Sequence, residues 1–460
     1  MTVYNGEDAR RKIGQSANHT RFTFDPPGRV SMPMLILTLL LVTFGLVMLF
    51  SASMAVGYTY EKNPLFYIMA QGKFTLFGIA AIIILTFIPV RWYDHIPFVA
   101  LAYAITLGLV VYTKFKGEVI GGSRRWITIG SQKFQPSELA KIALIFCIAG
   151  YRSFIVKLRK NGHLRVKSAR AQSYLDCIVD IVVPVCLLMI CLIFVFLQPH
   201  MSFFIIMLVL SFVCLLVSGI PLKSWIDGGL ILLLTALLSG VMFMSFTTFQ
   251  QKDDLLGNYQ HVFTRLDIFA TLNESDTGTE TGDSSEKSAA SDDEVYQSRQ
   301  SMIAIGSGGL QGVGFGESRQ KYQYLPAAHN DYVYAIICEE LGFVGGVSVI
   351  LLFLAFLIGG LNIAWHAKSD FTRILAVGYT CLIVIQAFFN IGVSIGVIPP
   401  TGITLPFFSY GGSADLFFLG AAGVLLGISK SGVKQDKKKK QEKKNGNTDI
   451  DSRRRNERAY

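Results

Sequence analysis

The chain has 460 residues, of which 51% are hydrophobic and only 16% are charged, and its mean hydropathy is +0.45. A soluble chain of this length would form about three domains, but this composition excludes that class and indicates an integral membrane protein. The formal net charge of +10 is unevenly distributed along the chain. The positions of the basic residues therefore carry information about topology.

Apolar runs of spanning length predict an all-α polytopic membrane protein with about ten transmembrane helices. In chain order, the predicted helices cover residues 34–55, 73–90, 95–113, 137–156, 177–197, 201–219, 225–246, 331–360, 372–397 and 406–428. They divide the chain into a cytoplasmic N-terminal segment, a membrane domain and a basic cytoplasmic tail, at residues 1–33, 34–428 and 429–460.

The basic residues before the first predicted helix determine the predicted orientation. Residues 1–33 are too long and too polar for a cleaved signal peptide, and they contain Arg10, Arg11, Lys12, Arg21 and Arg29. The amino terminus is therefore predicted to be cytoplasmic, and ten crossings return the carboxyl terminus to the same side. The outer loop between predicted helices three and four departs from this charge rule, since it contains Lys114, Lys116, Arg124, Arg125 and Lys133.

The longest predicted outer loop, residues 247–330 between helices seven and eight, has two parts. Residues 273–294 contain eight acidic residues, one Lys and no aromatic residue, which predicts a disordered acidic insert. Residues 300–316 combine Gly with apolar side chains, which favours an ordered re-entrant or membrane-surface segment. A phosphate-binding Gly loop is the alternative, but no GK[ST] sequence follows these residues.

Several polar clusters fall at the predicted outer ends of helices. In the first, Pro136 and Ser137 look like a helix start, and Glu138 and Lys141 share one helix face. Lys141 is predicted to lie about one turn below the membrane surface. A charge at that depth is costly, so Lys141 is a functional candidate. The alternative is a purely structural pair with Glu138.

The second cluster opens predicted helix eight. Asp331 lies at its outer entrance, where the positive end of the helix dipole favours a carboxylate, and an N-terminal helix cap is the alternative function. His329 lies at the rim. Glu339 and Glu340 are predicted to be buried structural anchors. If Asp331 and Lys141 face one cavity, they would form an ion pair.

The remaining clusters are the turn from Gln198 to Met201 and the segment 390–412. Three prolines in residues 390–412 interrupt a continuous helix, and irregular backbone at membrane depth must be buried in protein or line a wet cavity. We therefore predict an outward-facing polar cavity between helices four, eight, nine and ten. Basic side chains in the nearby loop would favour an anion such as a phosphate ester, although contact with lipid headgroups explains them equally well.

These clusters closely resemble the signature segments of the shape, elongation, division and sporulation (SEDS) family of bacterial membrane proteins. The matching stretches are RRWITIG, QPSELAK, QSMIAIGSGGLQGVGFGESRQKYQYLP, HNDYVYAIICEELG and GVIPPTGITLPFFSYGGS. They occur in the order of the family across about residues 34–428. The stretches KGEVIGGSRRWITIG and IPPTGITLPFFSYGG are more similar to the division and sporulation branch, FtsW and its relatives, than to the elongation protein RodA.

The resemblance implies a peptidoglycan glycosyltransferase that polymerises lipid II into glycan strands during cell division or sporulation, in the bacterial cell membrane. It maps the catalytic acid of the family onto Asp331, which would act as the general base. It implies lipid II, a class B penicillin-binding protein, other divisome membrane proteins and membrane lipids as partners, without nucleic acid. No organic cofactor is expected, and Mg²⁺ or Mn²⁺ is a candidate metal. The predicted substrate-binding residues are Arg124, Arg125, Lys133, Gln135, Glu138, Lys141, His329 and Ser409.

Four positions depart from the family pattern. Ala327 replaces the usual Glu, Asn330 replaces Thr or Ser, His200 replaces Asp, and Asp415 is unexpected after SYGGS. The replaced acids could contribute metal or substrate contacts in relatives, so these departures bear on activity. Three alternative functions remain open: an elongation polymerase of the RodA type, a lipid II flippase, and a division scaffold without chemistry of its own.

Overall fold

A computed structural model describes residues 30–120, 123–129, 132–198, 201–246 and 289–432 of the chain. Within these residues the protein is a bundle of helices with one small antiparallel sheet. The helices are α1 (Met32–Glu61), α2 (Phe66–Phe87), α3 (Ile96–Lys116), α4 (Pro136–Lys160), α5 (Ala169–Phe196), α6 (Met201–Val217), α7 (Leu222–Phe246), α8 (Ala289–Ser307), α9 (Val333–Trp365), α10 (Asp370–Ser394) and α11 (Ser413–Gly432). A short π-helical stretch, Ile178–Val182, lies inside α5.

Each of the ten predicted apolar runs contains a helix. Among the described residues, eight helices are long and apolar enough to cross a membrane, while α6 is apolar but has only 17 residues. The protein is therefore a multi-pass membrane protein, and the number of ten crossings stays a prediction. Residues 1–29 and 433–460, which hold most of the predicted cytoplasmic segments, lie outside the described residues.

Helix α8 was not predicted from the sequence. It begins at Ala289, within the last six residues of the predicted disordered insert, whose disorder stays a prediction. The helix was not predicted because its first residues are acidic and its apolar residues come only later. Residues 273–288 lie outside the described part of the chain. The prediction of order for 300–316 is confirmed, because α8 continues into a series of turns that reaches α9.

The loop between α3 and α4 forms a three-stranded antiparallel sheet instead of irregular chain. Its strands are β1 (Glu118–Ile120), β2 (Ser123–Ile129) and β3 (Gln132–Phe134), in the order β1-β2-β3. The Phe134 ring contacts the Phe417 ring on α11 at a centroid distance of 5.8 Å, edge to face. The sheet is therefore connected to the end of α11 at which the chain enters that helix.

Helix α9 is broken at Gly342, where φ is +67° and ψ is −164°. The break releases backbone groups that the turns after α8 then satisfy. The Val313 amide donates to the Glu339 carbonyl at 2.9 Å, and the Phe343 amide donates to the Gly309 carbonyl at 2.8 Å. Because unpaired backbone groups are costly inside a membrane protein, this pairing stabilises both the broken helix and residues 308–332. We call 308–332 the pre-α9 segment.

Candidate active site

Asp331 is the second-last residue of the pre-α9 segment, immediately before the start of α9. Its side chain is partly exposed, yet the surrounding protein removes enough water to raise the pKa of its carboxyl group to about 6. Desolvation raises the pKa because it disfavours the charged form. A carboxylate with this pKa is ionised at neutral pH and remains basic enough to accept a proton from a bound hydroxyl.

The loop between α10 and α11 lies against Asp331. A methyl group placed on Gly402 would be 3.6 Å from Asp331 Oδ2, and Gly402 has a φ of +63°, which a glycine adopts without strain. The Asn390 side chain of α10 donates to the Asp331 carbonyl at 2.6 Å and to the Ile403 carbonyl at 2.7 Å. The loop between α10 and α11 and the end of α10 therefore meet at Asp331, while the outward-facing polar cavity stays a prediction.

Lys141 does not pair with Asp331, and the predicted ion pair between them is wrong. Its ammonium group forms a 2.8 Å ion pair with Glu138 and donates to Gln386 Oε1, and the Lys141 side chain is 0% exposed. The ring of Phe203 lies 4.3 Å from Lys141 Nζ and adds a cation–π contact. Glu138, three residues earlier on the same helix, and Gln386 on α10 thus balance and bind the Lys141 ammonium group inside the bundle.

His329 is buried, at 8% exposure, instead of lying free at the rim. Its ring packs against Tyr67 at a centroid distance of 4.5 Å, and its carbonyl accepts a 2.9 Å hydrogen bond from the Tyr410 amide. Burial lowers the pKa of the imidazole to about 4, so the ring is neutral at pH 7. His329 therefore lies beside Asp331 in the chain without contributing a positive charge.

Glu339 and Glu340 bind the pre-α9 segment to its neighbours, as expected for structural anchors. Glu339 accepts hydrogen bonds from the Ser318 hydroxyl and from the Arg319 amide, the latter at 2.9 Å. Glu340 pairs with Lys321 at 2.9 Å, and both side chains are 0% exposed. The Ser51 hydroxyl of α1 also donates to Glu340 at 2.6 Å. Both acids are thus occupied by protein donors.

The basic residues of the loop lie on the three-stranded sheet, which divides them. Lys133 pairs with Thr128 and Arg124 pairs with Val119, and a register shift between Glu118 and Val119 interrupts the alternation of side chains along β2 between these two pairs. Lys133 and Arg124 are exposed, whereas Arg125 is half-buried. Arg124 donates to the Phe115 carbonyl at 2.9 Å. Two of the three predicted cations are therefore exposed on this sheet.

Other predicted site residues lie in turns near the same end of the bundle. The Ser409 hydroxyl accepts a 2.8 Å hydrogen bond from the Leu405 amide, which holds the turn before α11. Gln135 is buried immediately before α4. Ala327 has a positive φ of +56°, and its carbonyl accepts from the Asn330 amide. His200 lies outside the described residues.

Asp415, which departs from the family pattern, is a buried side chain between α11 and α2. Its Oδ2 accepts a 3.1 Å hydrogen bond from the Gln71 amide and a 3.3 Å hydrogen bond from the Thr75 hydroxyl. The Gln71 side chain also accepts from the Gly412 amide at 3.1 Å. These contacts connect α2 to the residues that enter α11.

Two buried polar residues with contacts to the pre-α9 segment escaped the prediction from sequence. Lys321 was missed because one Lys in a polar turn resembles a solvated residue, and its buried partner Glu340 is 19 positions away. Asn390 was within the segment 390–412, but its role was not recognised. A single amide in an otherwise apolar run, FFNIGV, is the signal that could have identified it.

The sequence matches known proteins over most of its length. The cell cycle protein family that comprises FtsW, RodA and SpoVE matches residues 32–434. Stage V sporulation protein E of Bacillus subtilis is 34% identical over 399 residues, which cover 86% of this chain and 96% of that protein. A probable peptidoglycan glycosyltransferase FtsW of the same species is 32% identical over 410 residues, with 88% and 91% coverage.

The fold matches solved structures of the same size. Rod shape determining protein RodA of Thermus thermophilus has a TM-score of 0.56 at 22% identity, covering 88% of this chain and 97% of that one. A structure described as the structural coordination of polymerization and crosslinking by a peptidoglycan synthase complex has a TM-score of 0.60 at 22% identity, with 87% and 98% coverage. At this identity the two structures bear on the fold alone.

Proposed function

The chain belongs to the family of cell cycle proteins that comprises FtsW, RodA and SpoVE, and from this membership we propose that it is a peptidoglycan glycosyltransferase. The proposed reaction polymerises lipid II into glycan strands during division or sporulation. The observation that carries the proposal is Asp331. This chain places a partly exposed carboxylate, with its pKa raised to about 6, in the segment where the family has its catalytic acid.

In the proposed reaction Asp331 acts as the general base. The 4-hydroxyl oxygen of one lipid II sugar attacks the anomeric carbon of the growing strand, and the hydroxyl proton passes to an Asp331 carboxylate oxygen. The new glycosidic bond forms as the bond from the anomeric carbon to the pyrophosphate oxygen breaks. The electron pair of that bond leaves on undecaprenyl pyrophosphate. A base positioned in this way typically contributes about 10²–10⁴-fold to the rate.

The leaving pyrophosphate requires stabilisation of its negative charge. Arg124 and Lys133 are exposed on the sheet and are the proposed contacts, because a fixed guanidinium or ammonium group stabilises phosphate oxygens. Lys141 is a weaker candidate for a direct contact, since its ammonium group is already bound to Glu138 and Gln386 inside the bundle.

A divalent cation is a second candidate for stabilising the pyrophosphate. The described residues contain no group of three His, Cys, Asp or Glu side chains that could bind a metal by themselves. Mg²⁺ commonly binds through one or two carboxylates together with substrate phosphates, and Asp331 is the carboxylate available for that arrangement. The requirement for Mg²⁺ or Mn²⁺ stays a prediction, and the proposed steps do not depend on it.

The proposed partner is a class B penicillin-binding protein, which would crosslink the strands that this chain makes. The structurally similar peptidoglycan synthase complex supports this pairing. We further propose that the chain lies in the bacterial cell membrane with both termini in the cytoplasm, so that Asp331 faces outward. The charge distribution of the sequence supports this orientation.

The test is polymerisation of lipid II by the purified protein together with its penicillin-binding partner, read as glycan strands on a gel. Wild-type protein should form polymer, whereas a flippase or a scaffold forms none. Asp331→Asn preserves the size of the side chain but removes the base, so we expect at least about a 100-fold loss of rate. The variant should remain folded and should still bind the partner.

Glu339→Gln is the matched control. Glu339 is another acid of the same region, but both of its carboxylate oxygens already accept hydrogen bonds from the protein. It should lower thermal stability more than it lowers turnover per folded molecule. Near wild-type polymerisation by Asp331→Asn would refute Asp331 as the base. An unfolded Asp331→Asn protein would favour the helix-cap function instead.

A further inference from the structure

Asn390 connects the two backbone segments that surround the Asp331 carboxylate. It lies on α10, one turn before the helix ends, and is 1% exposed. Its Nδ2 atom donates to the Asp331 carbonyl at 2.6 Å and to the Ile403 carbonyl at 2.7 Å. A side-chain amide nitrogen carries two hydrogens, so it can satisfy both acceptors at once. One side chain therefore fixes the separation of the two segments.

The residue before Ile403 is the one that approaches the carboxylate. A methyl group on Gly402 would be 3.6 Å from Asp331 Oδ2. Because the amide of Asn390 holds both Asp331 and Ile403, it also determines how closely Gly402 approaches that oxygen. The position of the reacting oxygen thus depends on a residue that does not touch it.

A second amide on α10 supports the same loop one helix turn earlier. Gln386 Nε2 donates to the Thr404 carbonyl at 3.3 Å, and its Oε1 accepts from the buried ammonium group of Lys141. Glu138 pairs with that ammonium group at 2.8 Å. The ion pair of α4 is thereby connected, through Gln386, to the loop that lies against Asp331.

We propose that Asn390 is a positioning residue for polymerisation, which holds Asp331 and the 402–404 loop in the geometry for proton transfer, with Gln386 and Lys141 supporting that loop. This inference rests on the proposed function. Displacing a reacting group by about 1 Å can cost about 100-fold in rate, while binding of a large lipid substrate depends on many other contacts. Loss of Asn390 should therefore lower kcat much more than it changes KM.

The experiment measures kcat and KM for lipid II with Asn390→Ala and Asn390→Asp, each expressed per monodisperse, folded molecule. The Asp substitution preserves size but, when ionised, removes both donors. Ser394→Ala is the matched control. Ser394 is equally buried one turn further along α10, and among the described residues its hydroxyl donates only to the Asn390 carbonyl. Asp331→Asn reports separately on the proposed function.

We expect kcat to fall about 10- to 100-fold in both Asn390 variants with KM changed by less than about threefold, and Ser394→Ala to remain near wild type. Wild-type kcat in the Asn390 variants, with Asp331→Asn inactive, would overturn the inference and leave the proposed function intact. A raised KM at unchanged kcat would assign Asn390 to substrate binding instead. Loss of folded protein in both variants would assign it to the fold, and an active Asp331→Asn would remove the proposed function itself.

Discussion

The carboxyl group of Asp331 gives the proposed reaction a defined dependence on pH. Its pKa is raised from 3.8 to about 6 by desolvation, and only the ionised form accepts a proton. The rate should therefore be constant above about pH 7 and fall about tenfold per pH unit below about pH 6. A plot of log kcat/KM for lipid II against pH measures this limb, and a limb near pH 4 would contradict the raised pKa.

His329 lies two residues before Asp331, and the ordinary pKa of a histidine could also produce a limb near pH 6. Its pKa is lowered to about 4 by burial against Tyr67 and Tyr410. His329→Phe preserves an aromatic ring in that place and should retain the limb near pH 6, even if the overall rate changes. If the limb disappears in this variant, the group that titrates near pH 6 is His329 and not Asp331.

The buried ion pair of Lys321 and Glu340 should contribute strongly to stability. Both side chains are 0% exposed, and removing one partner of such a pair typically costs about 3–5 kcal/mol because the other charge stays buried. Lys321→Met should therefore lower the unfolding temperature in detergent substantially. The double variant Lys321→Met with Glu340→Gln should recover part of that loss, since no unpaired charge remains.

Lys157→Met provides the matched control for that measurement. Lys157 pairs with Asp94 at 2.7 Å, but its side chain is 55% exposed. Exposed pairs contribute about 0–1 kcal/mol, so the unfolding temperature should change little. Equal effects of Lys157→Met and Lys321→Met would contradict the importance of burial.

At the scale of elements, the contact between the pre-α9 segment and the break in α9 depends on glycine. Gly312 has a φ of +83°, and a methyl group on it would lie 2.1 Å from the Glu340 carbonyl oxygen. Gly312→Ala should lower the unfolding temperature, because a left-handed backbone costs an L-residue about 1–2 kcal/mol before the steric clash is added. Thermal unfolding in detergent measures the effect.

Gly306 on the preceding helix, α8, offers a control, because its replacement by Ala should not lower the stability of the protein. It is helical, its φ is not positive, and no other group lies within 4 Å of a methyl group placed on it. Gly306→Ala should leave stability unchanged or raise it by up to about 1 kcal/mol, since Ala favours helix over Gly. A loss as large as that of Gly312→Ala would show that the close contact is not the cause.

At the scale of the whole molecule, the topology remains a prediction of the sequence. A protease added to intact spheroplasts should cut residues 273–288, which are predicted to lie outside, and should spare a tag on the carboxyl terminus. Permeabilised spheroplasts should lose the tag as well. Cleavage of the tag in intact spheroplasts would reverse the predicted orientation.

The sequence predicted the elements better than it predicted their contacts. The apolar runs located ten helices, because a helix that lies in a membrane needs about 20 consecutive apolar residues. It missed α8, whose acidic beginning hides its later apolar residues, and the small sheet between α3 and α4. Asp331 was selected from its place at a helix entrance, and its proposed role as the general base came from the resemblance to a family. The partner of Lys141 was wrong because helix spacing identifies neighbours on one helix, such as Glu138, but not the facing residue of α10.

The break at Gly342 also determines which part of α9 matches the thickness of a bilayer. The 33 residues of α9 measure about 50 Å as a continuous helix, well beyond a hydrocarbon layer of about 30 Å. Every residue from Val333 to Glu340 is buried by protein, whereas Phe343 and Val344 are 64% and 61% exposed, and Trp365 at the other end is 86% exposed. The 23 residues from 343 to 365 span about 35 Å, and a terminal Trp is typical of the lipid interface. We infer that the residues before the break place Asp331 beyond this apolar stretch, which in the proposed orientation is the outer side of the membrane, where the proposed substrate carries its sugars.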